Sequence, residues 1–343
     1  MKRPVIRYIF LFAALAIIAA AVFYYTIFIG KSVRVKSDST TLFINDEMSF
    51  ERVIDTLNQK FGIRNNKLLL WVAKNKNYPS HIRPGRYVFE NDMSYNRLIN
   101  LLRSGSQVPV NVTFNNIRTI YDLAGKIGGQ IEADSAGIAG FLSDPSNYEK
   151  DGFTRDNVIS VFIPNTYQLY WNTTPDAFYS RMVREYNRFW EGARQRMADS
   201  MGLTRSEVSI LASIIDDEVV RKEEKSRIAG VYLNRLEKGI PLQACPTIKF
   251  ALNDFTITRV LNKHLEVDSP YNTYKYRGFP PGPIGCPTID GIDAVLHAEK
   301  HDYLYFAAKA DFSGYHNFSR TLAEHNRYAA EYQRELDRRK IFR

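Results

Sequence analysis

Residues 8–29 run without a single charged side chain, bounded by Lys2, Arg3 and Arg7 before them and Lys31 after. Within a bilayer every backbone polar group must be satisfied internally, so such a run is confined to a helix there. At about 1.5 Å per residue it spans a hydrocarbon core of about 30 Å. A cleaved leader would end at small residues, and Ala19, Ala20 and Ala21 are small. Val22, Phe23, Tyr24 and Tyr25 carry the apolar run past them, so the expectation is an uncleaved anchor over 8–30, with cleavage as the alternative. Lys31, Arg34 and Lys36 balance the three basic residues in front, so charge alone does not orient the span. The short leading tail, residues 1–7, is expected to stay in the cytoplasm and residues 31–343 to lie outside it.

The remainder is long enough for about two domains with cores of their own. Its 45% hydrophobic and 24% charged content is that of an ordinary folded protein. A net charge of +9 favours anionic surroundings. The basic residues are scattered, however, with no zinc-finger spacing, arginine-rich arm or RNA-binding aromatic signature, so nucleic acid is set aside.

Residues 31–40 are polar and read as a stalk. A strand at 41–44, helices at 48–61, 66–75 and 93–102, and a Pro84-Gly85 turn into a strand at 86–89 make a small α/β domain ending near residue 106. A larger α+β domain then occupies 107–343, with helices expected over 117–127, 175–201, 226–238, 291–300 and 322–339 and a strand over 303–308. Thr204 and Glu207 have the spacing of a capping box and start a further helix. Between residues 240 and 292 the chain is loop-rich and braced by seven prolines, from Pro241 to Pro287. Loops of that length in compact domains are usually functional or disordered, and this one is too aromatic for plain disorder. It reads as a rigid groove wall.

One carboxylate stands out on the helix begun at Thr204. Leu211, Ile214, Ile215 and Glu218 are spaced i, i+3, i+4 and i+7 and share a face. Asp217 and Asp216 point about 100° and 160° away, towards the expected solvent side. Glu218 therefore projects from an apolar stripe, where it is either paired or has a raised pKa. A raised pKa is what a general acid needs near neutral pH. The plainer reading is an ion pair with Lys222 at i+4.

Other chemistry competes with this. His297 and His301 lie i, i+4 on an expected helix, a spacing that can bind zinc, but Ala298 stands where a metalloprotease has glutamate. No metal or other cofactor is expected. No Gly-x-Ser-x-Gly elbow occurs. Cys245 and Cys286, the only cysteines, sit in matching Cys-Pro-Thr-Ile segments. If the domain is exported they are expected to form a disulfide, the alternative being two unrelated buried thiols. Gln243 and Asn272 offer amides to neutral hydroxyl and acetamido groups, and Tyr271 and Tyr274 offer faces to sugar rings. Each could equally serve its own loop.

Several ordered motifs carry a specific resemblance. They are Phe162-Ile-Pro-Asn-Thr-Tyr167, Leu211-Ala-Ser-Ile-Ile-Asp-Asp-Glu218, Val231-Tyr-Leu-Asn-Arg-Leu236, Leu242-Gln-x-x-Pro-Thr247, Tyr271-Asn-Thr-Tyr274, Gly278-Phe-Pro-Pro-Gly-Pro-Ile284, Tyr303-Leu-Tyr-Phe306 and His316-Asn-Phe-Ser319. Together the chain resembles the endolytic murein transglycosylase, or YceG-like, family. The resemblance implies that residues 31–106 hold a stalk and a LysM-like domain and that 107–343 form the catalytic domain. It implies a lytic enzyme of the bacterial inner membrane, with its catalytic part on the periplasmic side. Such an enzyme cleaves peptidoglycan glycan strands internally, between N-acetylmuramic acid and N-acetylglucosamine, and leaves 1,6-anhydromuramoyl ends. Glu218 falls on the family's catalytic acid, and Gln243, Asn272, Tyr271 and Tyr274 are expected to line the cleft. Peptidoglycan synthesis enzymes are the expected protein partners. The alternative is a non-catalytic, peptidoglycan-binding scaffold for wall synthesis.

The chain departs from the family pattern at Cys245, where Asp is usual, and at Cys286, where Thr is usual. Both departures produce cysteine, which supports the disulfide and puts a role for the usual Asp in doubt. Asn165 likewise replaces Asp in a motif read as structural.

Overall fold

The computed structural model describes residues 2–35, 41–219, 221–339 and 341. It is a mixed α+β chain whose backbone contacts divide it into two compact units. The first holds residues 1–112 with the short segments 130–132 and 168–173, and the second holds the rest.

The first unit begins with α1 (Lys2–Phe28), which takes in the expected tail as well as the span. The apolar stretch Ile6–Phe28 is long enough to cross a bilayer. Next come β1 (Val33–Val35), β2 (Thr41–Ile44), α2 (Phe50–Lys60), β3 (Phe61–Ile63), α3 (Asn66–Asn75), β4 (Gly85–Val88) and α4 (Tyr95–Ser104). Ser49, Asn65 and Ser94 start the three later helices, each side chain accepting a hydrogen bond from an otherwise orphaned backbone amide. Two antiparallel pairs, β2 with β4 and β1 with β3, flank a core that includes Leu42, Ile44, Val53, Leu57, Leu69, Tyr87 and Leu98, each fully buried.

The expected stalk is corrected by this arrangement. Val33, Arg34 and Val35 are strand residues paired with Ile63, Gly62 and Phe61, and residues 36–40 fall outside the described part. Ladder hydrogen bonds and the burial of Val33 favour this pairing over a solvated linker.

The strands β5 (Val110–Phe114) and β6 (Asn165–Leu169) form a two-stranded sheet, with α5 (Ile120–Gly128) and α6 (Ser135–Ser143) between them in sequence. The second unit continues through α7 (Pro175–Trp190), α8 (Ala193–Ser200), α9 (Arg205–Glu218) and α10 (Lys225–Glu237). It ends with α11 (Cys245–Ala251), α12 (Ile289–Leu296), β7 (Tyr305–Ala308), antiparallel β8 (His316–Ser319) and α13 (Leu322–Arg338).

Two helices differ from expectation. The single helix expected over 175–201 is broken after Trp190, where Gly192 has a φ of 78°, a conformation that glycine adopts without strain. The helix expected to reach Lys300 stops at Leu296, with His297 as its C-cap. The 240–292 region also contains α11, whose Pro246 lies in the first turn, where a missing amide costs nothing.

The α9 helix is the centre of the second unit. Its capping box is formed in full, the Thr204 hydroxyl accepting from the Glu207 amide and the Glu207 carboxylate accepting from the Thr204 amide. Every residue from Val208 to Ile215 is buried, with α10, α11 and α12 packed around the helix. A helix apolar on one face needs one neighbour, whereas this one is enclosed.

Candidate active site

Glu218 is the last residue of α9 and is half-buried, following the fully buried run from Val208 to Ile215. Loss of solvent pushes its carboxyl up from 4.5 to about 7. The Lys249 ammonium on α11 opposes this, the adjacent Asp217 carboxylate adds to it, and the Tyr232 hydroxyl pulls it back slightly. The negative end of the α9 dipole also disfavours a carboxylate at this position. Tyr232, on α10, is itself fully buried, and among the described residues its hydroxyl has no partner at full hydrogen-bond distance. The result is a carboxyl poised to change charge near neutral pH, with a donor and a cation at hand for its ionised form.

The plainer pairing with Lys222 does not form: Lys222 bonds Asp290 instead, at 2.6 Å. Of the two aspartates before Glu218, Asp217 is exposed as expected, whereas Asp216 is turned inward. Asp217 is held by Arg118 at 2.8 Å and 3.3 Å. Asp216 accepts from Lys225 at 2.6 Å, from the Thr288 amide at 2.6 Å and from the Thr288 hydroxyl at 2.8 Å. Its side chain is only 15% exposed and that of Lys225 9%. For Asp216 the solvent-side expectation fails because it assumed a one-sided helix, whereas α12 covers that side as well. Gly291 of α12 allows the approach, since a β-carbon there would stand 2.6 Å from Asp216 Oδ1.

The four expected cleft residues divide. Tyr274 is partly exposed, its hydroxyl 3.2 Å from Cys245 Sγ and its pKa raised by burial and by the nearby Cys245 and Glu218. Gln243 is exposed, held in the left-handed region at φ 54°, and its side-chain oxygen accepts from buried Arg235 at 2.5 Å. Arg235 also donates to the carbonyls of Pro241 and Leu304 and so fixes this turn. Tyr271 packs against Phe250 and donates weakly to Asp156 at 3.4 Å. Asn272 is completely buried and is a correction: its amide donates to the carbonyls of Leu265 and Val267, and its oxygen accepts from the amides of Tyr274 and Lys275. A side chain so occupied shapes the loop and has nothing left for a ligand.

The cysteines are likewise corrected. Both are free thiols. Cys245 faces Tyr274 and Glu218, while Cys286 is buried near the Ile159 carbonyl, with its amide donating to Ile117. Burial raises both thiols above their ordinary range. His297 and His301 also lose the premise of their pairing, because no helix joins them. His297 bonds the Asp293 carbonyl, and His301 bonds the Arg227 carbonyl while packing against Gly230.

Sequence reasoning missed Tyr232 and Lys249 beside Glu218. Tyr232 lies inside a motif already noted, and its i, i+3 spacing to Arg235 on one helix face was the available signal. Lys249 had none, since α11 was not expected.

A profile of the YceG-like family matches residues 42–331. The chain is 30% identical over 315 residues to an endolytic murein transglycosylase of Bacillus subtilis, covering 87% of this chain and 86% of that protein. It is 26% identical over 323 residues to an endolytic murein transglycosylase of Streptococcus pneumoniae, covering 85% of this chain and 58% of that longer protein. Among solved structures, the 2.6 Å crystal structure of a yceG-like protein from Listeria monocytogenes superposes with a TM-score of 0.56 at 27% identity. That match covers 84% of this chain and 97% of the other. With the profile covering most of its length and a relative 30% identical over 87% of the chain, the chain belongs to the YceG-like family.

Proposed function

We propose that this protein is a membrane-anchored endolytic murein transglycosylase whose catalytic acid is Glu218. The observation that carries the reading is a carboxyl with a pKa of about 7 at the open end of an otherwise enclosed helix, in a chain of this family. Protonated Glu218 donates to the oxygen linking N-acetylmuramic acid to N-acetylglucosamine. The bond from that oxygen to the muramoyl C1 breaks, and positive charge develops at C1. The carboxylate then removes the proton of the C6 hydroxyl of the same ring, whose oxygen bonds to C1. Glu218 ends protonated again, and water takes no part.

This cycle needs one carboxyl that is stable in both charge states. Desolvation favours its acid form before the first step, and Lys249 and Tyr232 lower the cost of the carboxylate after it. Lys249 also lends positive potential to a site whose substrate strands carry acidic groups. Gln243, Tyr274 and Tyr271 are proposed to meet the sugar, with Asn272 holding their loop. The proposal extends to α1 as the anchor, to the bulk of the chain on the periplasmic face, to a LysM-like first unit, and to work alongside the wall-synthesis enzymes.

The test is digestion of uncrosslinked glycan strands by the full-length protein in ¹⁸O-labelled water. Anhydromuramoyl ends without the heavy isotope are expected. Reducing ends carrying ¹⁸O would make the enzyme a hydrolase.

A further inference from the structure

The end of α1 is not a tether but part of the first unit. Ile27 is 2% exposed and belongs to the same core as Leu69, Val72 and Leu98. The chain then turns at once: the Ser32 hydroxyl donates to the Thr26 carbonyl, the amides of Ser32 and Val33 both donate to the Met93 carbonyl, and Lys31 pairs with Asp92. A unit gripped in this way stands at a fixed height relative to the apolar helix.

One exposed side chain of that unit reaches back along α1. The Trp71 ring of α3 lies edge-on to Phe23, with centroids 5.2 Å apart at 73°. Phe23 is five residues before the end of α1, about 7 Å down the helix axis. Trp71 is nevertheless 49% exposed, and no water-soluble core covers it. Lys67 and Lys74 are exposed at i−4 and i+3 from it, on the same face of α3, and make no ion pair among the described residues. Tyr24 and Tyr25, also exposed, sit at the same level of α1. Indole and phenol rings favour the boundary between hydrocarbon and headgroups, and lysines extend from it to anionic phosphates.

We infer that α3 lies in the outer boundary of the membrane crossed by α1, with Trp71 among the upper acyl chains and Lys67 and Lys74 on anionic headgroups. This rests on the reading of α1 as a membrane anchor. The occupant of the surface is an anionic lipid leaflet. A protein partner would have to reach a ring that α1 already holds at bilayer depth.

The test uses full-length protein in vesicles of phosphatidylethanolamine and phosphatidylglycerol, with bromine on shallow acyl carbons to quench tryptophan emission. Trp71→Phe keeps a ring against Phe23, and circular dichroism checks that it folds. Both proteins carry Trp171→Phe, which removes the partly exposed third tryptophan of the first unit, so most of the quenching is expected to vanish with Trp71: the remaining Trp190 is fully buried in the second unit. Equal quenching in both proteins, with both still floating with vesicles after a high-salt wash, would overturn the inference and leave the anchor standing. Failure to float would overturn the anchor and the inference together. The double variant Lys67→Glu, Lys74→Glu should quench less than wild type in these vesicles and equally in phosphatidylcholine. No difference in the anionic vesicles would overturn the assignment to anionic lipid.

Discussion

A carboxyl that must give a proton and take another within one turnover needs an affinity for it close to the ambient pH. Glu218 reaches that condition because burial raises its pKa by more than Lys249 and Tyr232 lower it. The sign of the stability linkage follows. The folded value of about 7 lies above the ordinary 4.5, so the folded state holds this proton more tightly than the unfolded one. Stability is therefore lost as pH rises from about 4.5 to about 7. Glu218→Gln, which has nothing to ionise, is expected to match wild type near pH 4. Above pH 8 it should be the more stable of the two, by up to about 3 kcal/mol, as read by denaturant melts. If Glu218 is the acid, as proposed, kcat/KM of the wild type should fall tenfold per pH unit once pH exceeds about 7. A profile flat to pH 9 would deny Glu218 the acid role. Glu218 was legible from the sequence because apolar spacing and the family motif agreed on it. Asn272 was legible as a residue that matters but not in its task, since an amide that binds sugar and one that binds its own loop look alike in sequence.

Helix α9 is enclosed, and its enclosure is pinned by Asp216. Lys225 at the start of α10 and Thr288 at the start of α12 both bond this one carboxylate. Breaking a buried pair leaves an uncompensated charge, so Asp216→Asn is expected to destabilise the second unit by about 3–5 kcal/mol in thermal or urea melts. A loss under 1 kcal/mol would show that the three helix ends are held by packing alone. Capping boxes and periodicity made most helices readable, Thr204 and Glu207 above all. Two kinds of feature stayed hidden. A break such as that at Gly192 depends on what α7 and α8 must pack against, and helical periodicity passes through it. The side of a helix that meets solvent is unreadable when tertiary neighbours cover every side, and that is why Asp216 was misassigned.

Across the whole chain, the first unit is built on the end of its own apolar helix. A stalk was the natural reading of a polar stretch after an anchor, because the short strand β1 pairs with residues far along the sequence, at 61–63 and at Met93. Removing residues 1–30 also removes Ile27 from a filled core, at a cost of about 2–5 kcal/mol. The truncated protein is expected to lose stability in the first unit, seen as earlier hydrogen exchange in α3 and α4, with α9 unchanged. Unchanged protection in α3 and α4 would mean that α1 is dispensable to the unit.

The most direct test of the central claim is the rate at which full-length Glu218→Gln cleaves defined glycan strands at pH 6, measured beside its melting temperature. Without its acid the enzyme is expected to lose about 10²–10⁴-fold in kcat with the fold intact. A folded variant that retains wild-type turnover would contradict it.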